Sequence, residues 1–594
     1  MKFVRYSLYL LSVLLPLSLL FNSKAIFYPP TDWNNNLYII GYLGASFSDH
    51  FSFPAVINAS NAVGAAIPMF YGYLMYPFLG MISAFVGADL ALRVGCFIML
   101  SFQFYGLISG AKAVLKHSNL AFAIAITVTW GTYSLTNLYN RASITEYFAT
   151  GFMMATISFV FAAAEQQKIS GKLYFIWMAA VAAIFSLGIH PPTTFVEGLY
   201  FSALGLILIA VWVSKRPVIQ LPYFIYSTIV SSLTFLMVSP WLYATLKIGP
   251  KLVQWAHPGV IIFYPDRSDT FIKRFSPLPF DWLSTQQGSV NVSTPYLEAP
   301  IDFGLLIIVL FLFWLVIKAK NNRSYSRILL IRSAPLIVVF SVLWCVFIST
   351  ISLSRPFASH FLSLNTFIQF AYRLVSHINA AFLVTLFSLA LINKNKGLLQ
   401  ARRHTLDIIA SICITLAALS LYIKLPHAFI IRTEQNTPEY TLNGDRSTLA
   451  MKGITGLAGM YATKDIKIIE QNNLNKSTAI EFPVGNKTTN FGEVSDVKIH
   501  LDKPNWVITN VISFPYSRIW ANDKRLSGEN LSRSGAYLTI HLPAGDTNLH
   551  WQWHEDPVWE VLHILGQVAY FSVITITLIL FVIAGFTKRI SFIS

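Results

Sequence analysis

Charge is scarce in this chain: only 12% of its 594 residues are Asp, Glu, Lys or Arg, against about a quarter in an ordinary soluble domain. That scarcity excludes a soluble enzyme. Cysteine is nearly absent as well. The three present, Cys96, Cys345 and Cys413, each lie inside an apolar run, so there is no CxxC redox pair and no extramembrane disulfide for the polar loops. The sequence contains no Walker A, HExxH or GxGxxG pattern, which argues against nucleotide-driven transport and against a cytoplasmic nucleotide-sugar enzyme.

What is abundant is apolar sequence. Hydrophobic residues make up 55% and aromatic residues 15% of the chain, with a mean hydropathy of +0.56. They fall in separate runs, each near the roughly 20 residues a helix needs to cross about 30 Å of hydrocarbon. The chain therefore reads as a polytopic α-helical membrane protein. Twelve spans are expected, at about 6–21, 89–108, 119–137, 147–164, 173–189, 197–214, 222–240, 303–318, 333–352, 377–392, 407–424 and 565–585. The first run follows Lys2 and Arg5 like a signal peptide, but it lacks a small-x-small cleavage site and reads as a retained span.

The formal net charge of +16 would suit nucleic acid, but the spacing of the cations points elsewhere. With both termini cytoplasmic, one side receives Lys112 with Lys116, Lys168 with Lys172, Lys215 with Arg216, Lys318 through Arg332, Lys394 through Arg403, and Lys588 with Arg589. That is the distribution the positive-inside rule requires, and no nucleic-acid partner is expected. The arrangement holds if the apolar stretch 65–84 is a juxtamembrane or re-entrant segment on the outer face, where its prolines and tyrosines suit an interface. The alternative is an ordinary span at 65–84, with the first run being something else.

The expected organisation is a transmembrane domain over residues 1–424 with external loops 22–88 and 241–302, a β-rich extracytoplasmic domain over 425–563, and a final helix with a cytoplasmic tail over 564–594. In the third region VKIHL, WVITNVISF, AYLTIHL and NLHWQW alternate like strands with one buried face, and RSGAY and PAGDTN supply turns. A small β-sandwich follows.

Polar groups at the outer mouths of spans are the informative ones, since charge near the apolar slab is costly and marks substrate paths. Asp32, in PPTDWNNNLY after the first span, leads; loop solvation is its plain alternative. YNRASITE at the external end of the third span holds Tyr139, Arg141 and Glu146, a set equally compatible with a structural Arg/Glu pair. His190 in GIHPPTTF opens a second corner. His360, Gln369, Tyr372 and Arg373 lie in an amphipathic third segment, for which lipid-surface packing is the alternative. Arginines that fork onto phosphate oxygens and aromatic rings that cover sugars or isoprene units suit an anionic lipid-linked sugar. Transfer from such a lipid needs a base for the acceptor hydroxyl and stabilisation of the departing phosphate.

The order of these features, an external loop with Asp32, a juxtamembrane segment, then YNRASITEYFA, GIHPPT and FIQFAYRL, resembles the bacterial membrane proteins known as 6-pyruvoyl-tetrahydropterin synthase-related proteins. Those are similar to YfhO-like proteins and, more broadly, to the GT-C superfamily of polyprenyl-phosphate-dependent glycosyltransferases. PAGDTNLHW resembles the outer sandwich of the YfhO-like proteins. The resemblance implies a catalytic acid in the first external loop, here Asp32, a second acidic position at Glu146, and juxtamembrane helices in that loop. The first loop departs from the pattern, having no histidine between Asp32 and His50.

The resulting expectation is a GT-C-like enzyme of the bacterial inner membrane. It would move a sugar, with inversion, from a polyprenyl-phosphate carrier to an extracytoplasmic glycan, lipid or protein. Asp32 is the expected base and Glu146 its support, the two also being the candidate ligands of a divalent cation, Mg or Mn. Arg141, Arg373, Arg267 and Arg274 are expected at the donor phosphate, and Trp33, Tyr139, His190, His360, Gln369 and Tyr372 along the cavity. Two alternatives use the same residues differently: a lipid-linked-sugar flippase or other transporter, and a non-catalytic assembly factor for surface polysaccharide.

Overall fold

The computed structural model describes residues 2–21, 30–59, 62–140, 143–215, 221–252, 303–318, 329–353, 375–395, 398–399, 402–433, 462–463, 465–483 and 494–586. The expectations for Arg141, Arg267, Arg274, His360, Gln369, Tyr372 and Arg373 fall outside the described residues.

The first apolar run is a helix broken by its own proline. α1 (Lys2–Leu14) gives way to a 3-10 turn, Leu15–Phe21, because Pro16 cannot donate to the Ser12 carbonyl and disfavours helical geometry before it. The Ser12 carbonyl instead accepts the Trp130 indole N–H at 2.6 Å. In the first loop come α2 (Pro30–His50), β1 (Ile57–Ala59), β2 (Ala62–Ala65), α3 (Ile67–Phe70) and α4 (Met75–Val86). The 12 residues of α4 reach about 18 Å at 1.5 Å per residue, short of the hydrocarbon thickness. α4 lies along α2 and ends at Gly87, whose φ of 81° turns the chain into α5 (Ala88–Leu115).

The bundle continues through α6 (Ser118–Thr129), α7 (Thr132–Leu135), α8 (Ile144–Glu165), α9 (Ile169–Leu187), α10 (Pro191–Lys215), α11 (Leu221–Lys247), α12 (Phe303–Lys318), α13 (Leu329–Leu353), α14 (Val375–Asn395) and α15 (Arg403–Thr433). After the short α16 (Gln471–Leu474) and the β region, α17 (Pro557–Phe586) closes the chain. Among the described residues nine helices are long and apolar enough to cross a membrane; Tyr6–Phe21, Met75–Val86, Ser118–Thr129 and Gly304–Lys318 are apolar but shorter. The nine coincide with nine of the expected runs and three of the shorter helices with the remainder. Helix α11 runs beyond residue 240, α15 runs beyond 424 and α17 begins before 565, so the expected limits fall inside helices.

Burial orders the bundle. The apolar windows of α8 and α14 are each 89% buried, which makes them its centre, whereas those of α10, α11 and α17 are mostly on the outside. α5 meets α8 through small residues: a Cβ on Gly110 would lie 2.5 Å from the Ser158 carbonyl oxygen, so the backbones touch there. At one end of the bundle Lys394 pairs with Glu165, while Asp407 accepts from Asn119 at 2.8 Å and lies 3.4 Å from the His117 imidazole. The β region sits at the opposite end, between α15 and α17.

That region is two sheets with one core. β3 (Thr478–Ile480), β5 (Asn505–Ile512), β8 (Leu531–Ser534) and β9 (Tyr537–Leu542) form one. β4 (Val497–Leu501), β6 (Ser517–Ala521), β7 (Lys524–Arg525) and β10 (Gly545–Trp553) form the other, in the order β4-β10-β6-β7. Val507, Val511 and Ile540 from the first meet Ile519, Leu549 and Trp551 from the second. Gly535 and Gly545, both at positive φ, make the turns that RSGAY and PAGDTN suggest. The first sheet also includes two strands from the first loop: β1 pairs with β2, and β2 runs parallel to β5 with Val63 opposite Val511. Val63 belongs to the same core.

Candidate functional site

The end of the bundle that carries the β region gathers buried polar groups. Trp130 and Gly131 stop α6, and the chain passes through α7 and a π turn, Thr136–Asn140, before α8 begins. This irregular link brings Asn137 and Ser143 over the first turn of α8. The Asn137 amide donates to Glu146 Oε1 at 3.4 Å and the Ser143 hydroxyl to Oε2 at 3.5 Å. Glu146 has no exposed surface, and its carboxylate bears electrostatically on the buried His377 at the start of α14.

One residue earlier, Thr145 donates to the Tyr71 hydroxyl at 2.7 Å, and the Tyr71 ring meets the His190 imidazole edge-on at 5.7 Å between centroids. His190 is fully buried, with Nδ1 2.8 Å from the Thr193 hydroxyl. The turn that carries Tyr71 is fixed to the same corner by backbone: Gly72 N–H donates to the Ile189 carbonyl at 2.9 Å and Leu74 N–H to Gly188 at 3.2 Å. Burial pushes the neighbouring Tyr73 phenol up from its ordinary value. Thus α8, the α9–α10 corner and the first loop meet at one place.

The same loop also holds α2. The Tyr76 hydroxyl, at the start of α4, donates to Asn36 Oδ1 at 2.9 Å. Position 32 lies four residues before Asn36 in α2 and so on the same helix face. Trp33 is buried in the main core. Tyr139 is buried too, its hydroxyl donating to the Pro16 carbonyl at 2.6 Å, which ties the π turn to the first helix.

A second buried carboxylate escaped the sequence reading. Glu197, on α10 two turns beyond His190, accepts the Ser186 hydroxyl at 2.6 Å on Oε2, while Oε1 has no hydrogen-bond partner among the described residues. The available signal was its place as the lone acid in the run 191–214, since an ionisable residue within a span is costly enough to imply a task. His377 carried the same kind of signal. Among the described residues no cluster of three His, Cys, Asp or Glu side chains is arranged to hold a metal ion. No protein-family model, curated protein or solved structure matches the chain.

Proposed function

We propose that this protein is an inverting glycosyltransferase with a GT-C-like arrangement of about twelve spans. The cation-bearing end of its bundle faces the cytoplasm and the β region faces outward. It takes a sugar from a polyprenyl-phosphate carrier in a bacterial inner membrane. The observation that carries the reading is the bond from Tyr76 to Asn36, which ties the α2 face holding position 32 to the same loop whose Tyr71 reaches Thr145, next to Glu146, and His190. A carboxylate at position 32 would remove the proton from the acceptor hydroxyl. The oxygen then attacks the anomeric carbon, and the bond to the phosphate breaks on the opposite face as polyprenyl phosphate leaves. Glu146 would support the base; position 32 and Glu146 are the residues that would hold a Mg or Mn ion, which would supply positive charge to the departing phosphate. Arg141 and Arg373, with Arg267 and Arg274, are assigned to neutralise the phosphate.

The test is transfer of labelled hexose from a panel of polyprenyl-phosphate-hexoses to cell-envelope acceptors by protein reconstituted in lipid. D32N and E146Q are expected to lower the rate at least about 100-fold, the usual worth of a general base, with D32N melting like the parent protein. Full activity in D32N overturns the assignment.

Transport of a lipid-linked sugar is the second reading, favoured by one feature. The unpaired Glu197 oxygen inside a span has the chemistry of a proton relay. If it is correct, E197Q stops movement of the lipid-linked sugar across the bilayer and D32N does not.

A further inference from the structure

We propose that the outward face of the β4-β10-β6-β7 sheet, around Arg518, Trp520 and Arg525, binds an anionic glycan chain. This goes beyond the transferase reading and stands without it. The face follows from strand alternation. Ile519 on β6 and Leu549 and Trp551 on β10 point into the core, so Arg518 and Trp520, with Asn548, His550 and Gln552, point out. Register places them side by side: Arg518 opposite Gln552, Trp520 opposite His550, and Arg525 of β7 opposite Trp520 on its other flank.

The charges on this face are unevenly matched. Its acids are taken up by histidines: Asp546 lies 2.6 Å from His500 Nδ1 and Asp496 lies 2.6 Å from His550 Nδ1. Neither Arg518 nor Arg525 has a carboxylate partner among the described residues, and Arg518 Nε is shielded from water without a hydrogen-bond acceptor. Partial burial, followed by the nearby Arg525 guanidinium, disfavours the charged form of Arg518. Two crowded guanidiniums without a counter-charge call for an anion, which each can grip in a two-point fork.

The remaining chemistry selects a sugar. The Trp520 indole, 6.0 Å from the His550 ring, lies between the two arginines and offers a flat apolar surface to a pyranose. His550 and Gln552, both exposed, lie on the same side at strand spacing of about 7 Å, offering a short row of hydroxyl partners to an extended chain. A lipid headgroup would use the charges and leave the ring and the row idle.

The experiment is calorimetric titration of the full-length protein in neutral phosphatidylcholine nanodiscs. The probes are tetragalacturonate and a sulfated heparin tetrasaccharide, with maltotetraose as the uncharged control. At least one anionic oligomer is expected to bind saturably and at least tenfold more tightly than maltotetraose, weakening as salt rises. R518Q/R525Q and, separately, W520A should each reduce that affinity at least tenfold while the melting curve stays that of the parent. Failure of both anionic oligomers to bind, or binding that neither variant changes, overturns the proposal. So does an arginine effect seen only as lost enrichment of phosphatidylglycerol around the protein in mixed nanodiscs, which would make this face a headgroup contact.

Discussion

Glu197 and His500 show how differently a polar side chain behaves in the two halves of this molecule. Glu197 is buried with one oxygen unpaired among the described residues, a costly state that persists only where the fold over-determines it or function uses it. His500 is exposed on β4, and the hydrogen bond its ring donates to Asp546, then the attraction of that carboxylate, raise its imidazole above the ordinary 6.5. A raised folded value means that the cross-strand pair helps stability below the ordinary value and ceases to help as pH rises through the raised one. We therefore expect the His500 ring resonances to titrate above pH 6.5 and to return toward that value in D546N; an unchanged midpoint in D546N would refute the pairing. At this scale the sequence was partly legible. Glu146 and His190 stood out because charge and prolines interrupt apolar runs there. Glu197 and His377 were hidden because each is the first residue of an expected run, 197–214 and 377–392, where hydropathy averaging conceals a single polar residue.

Among the elements, the long helices were readable because twenty apolar residues have few other fates in lipid. Breaks within the shorter runs followed local chemistry. Pro16 ends α1 and Trp130–Gly131 ends α6, breaks absent from the unbroken runs expected at 6–21 and 119–137, and the Trp130 indole donates to the Ser12 carbonyl across them. The backbone contact between α5 and α8 depends on Gly110 having no side chain. G110V would drive a methyl group into the Ser158 backbone, and we expect a loss of about 1–3 kcal/mol, typical of overpacking. It would be read as an earlier thermal unfolding of the detergent-solubilised protein; an unchanged melt would show that α5 and α8 can separate without cost. Gly64 is a second such place, with φ +72° and the Trp551 ring 2.9 Å from where a Cβ would stand.

For the whole molecule, the unforeseen feature is the continuity of the first loop with the C-terminal sheets. The residues of β1 and β2 are apolar apart from Asn58, and in sequence they merge into the hydrophobic stretch that follows. Nothing local announces that their partner is β5, more than 400 residues away. The consequence is mechanical. The loop that holds α2 is anchored at one side by Tyr71 and Tyr76 and at the other by the shared core around Val63. V63D buries a charge in that core, and we expect it to raise protease sensitivity of the first loop and to lower transfer although Asp32 and Glu146 are untouched. Parent-like proteolysis with parent-like transfer would show that the β region is a passive appendage.

The central claim is that the face of α2 bearing position 32 and the corner formed by Glu146, Tyr71 and His190 enclose one lipid-phosphate site. The most direct test is an experimental structure of the purified protein in lipid with undecaprenyl phosphate added. We expect phosphate density within a few ångströms of that corner, facing Asp32. Lipid density along a groove that bypasses both α2 and Glu146 would contradict the account and favour transport.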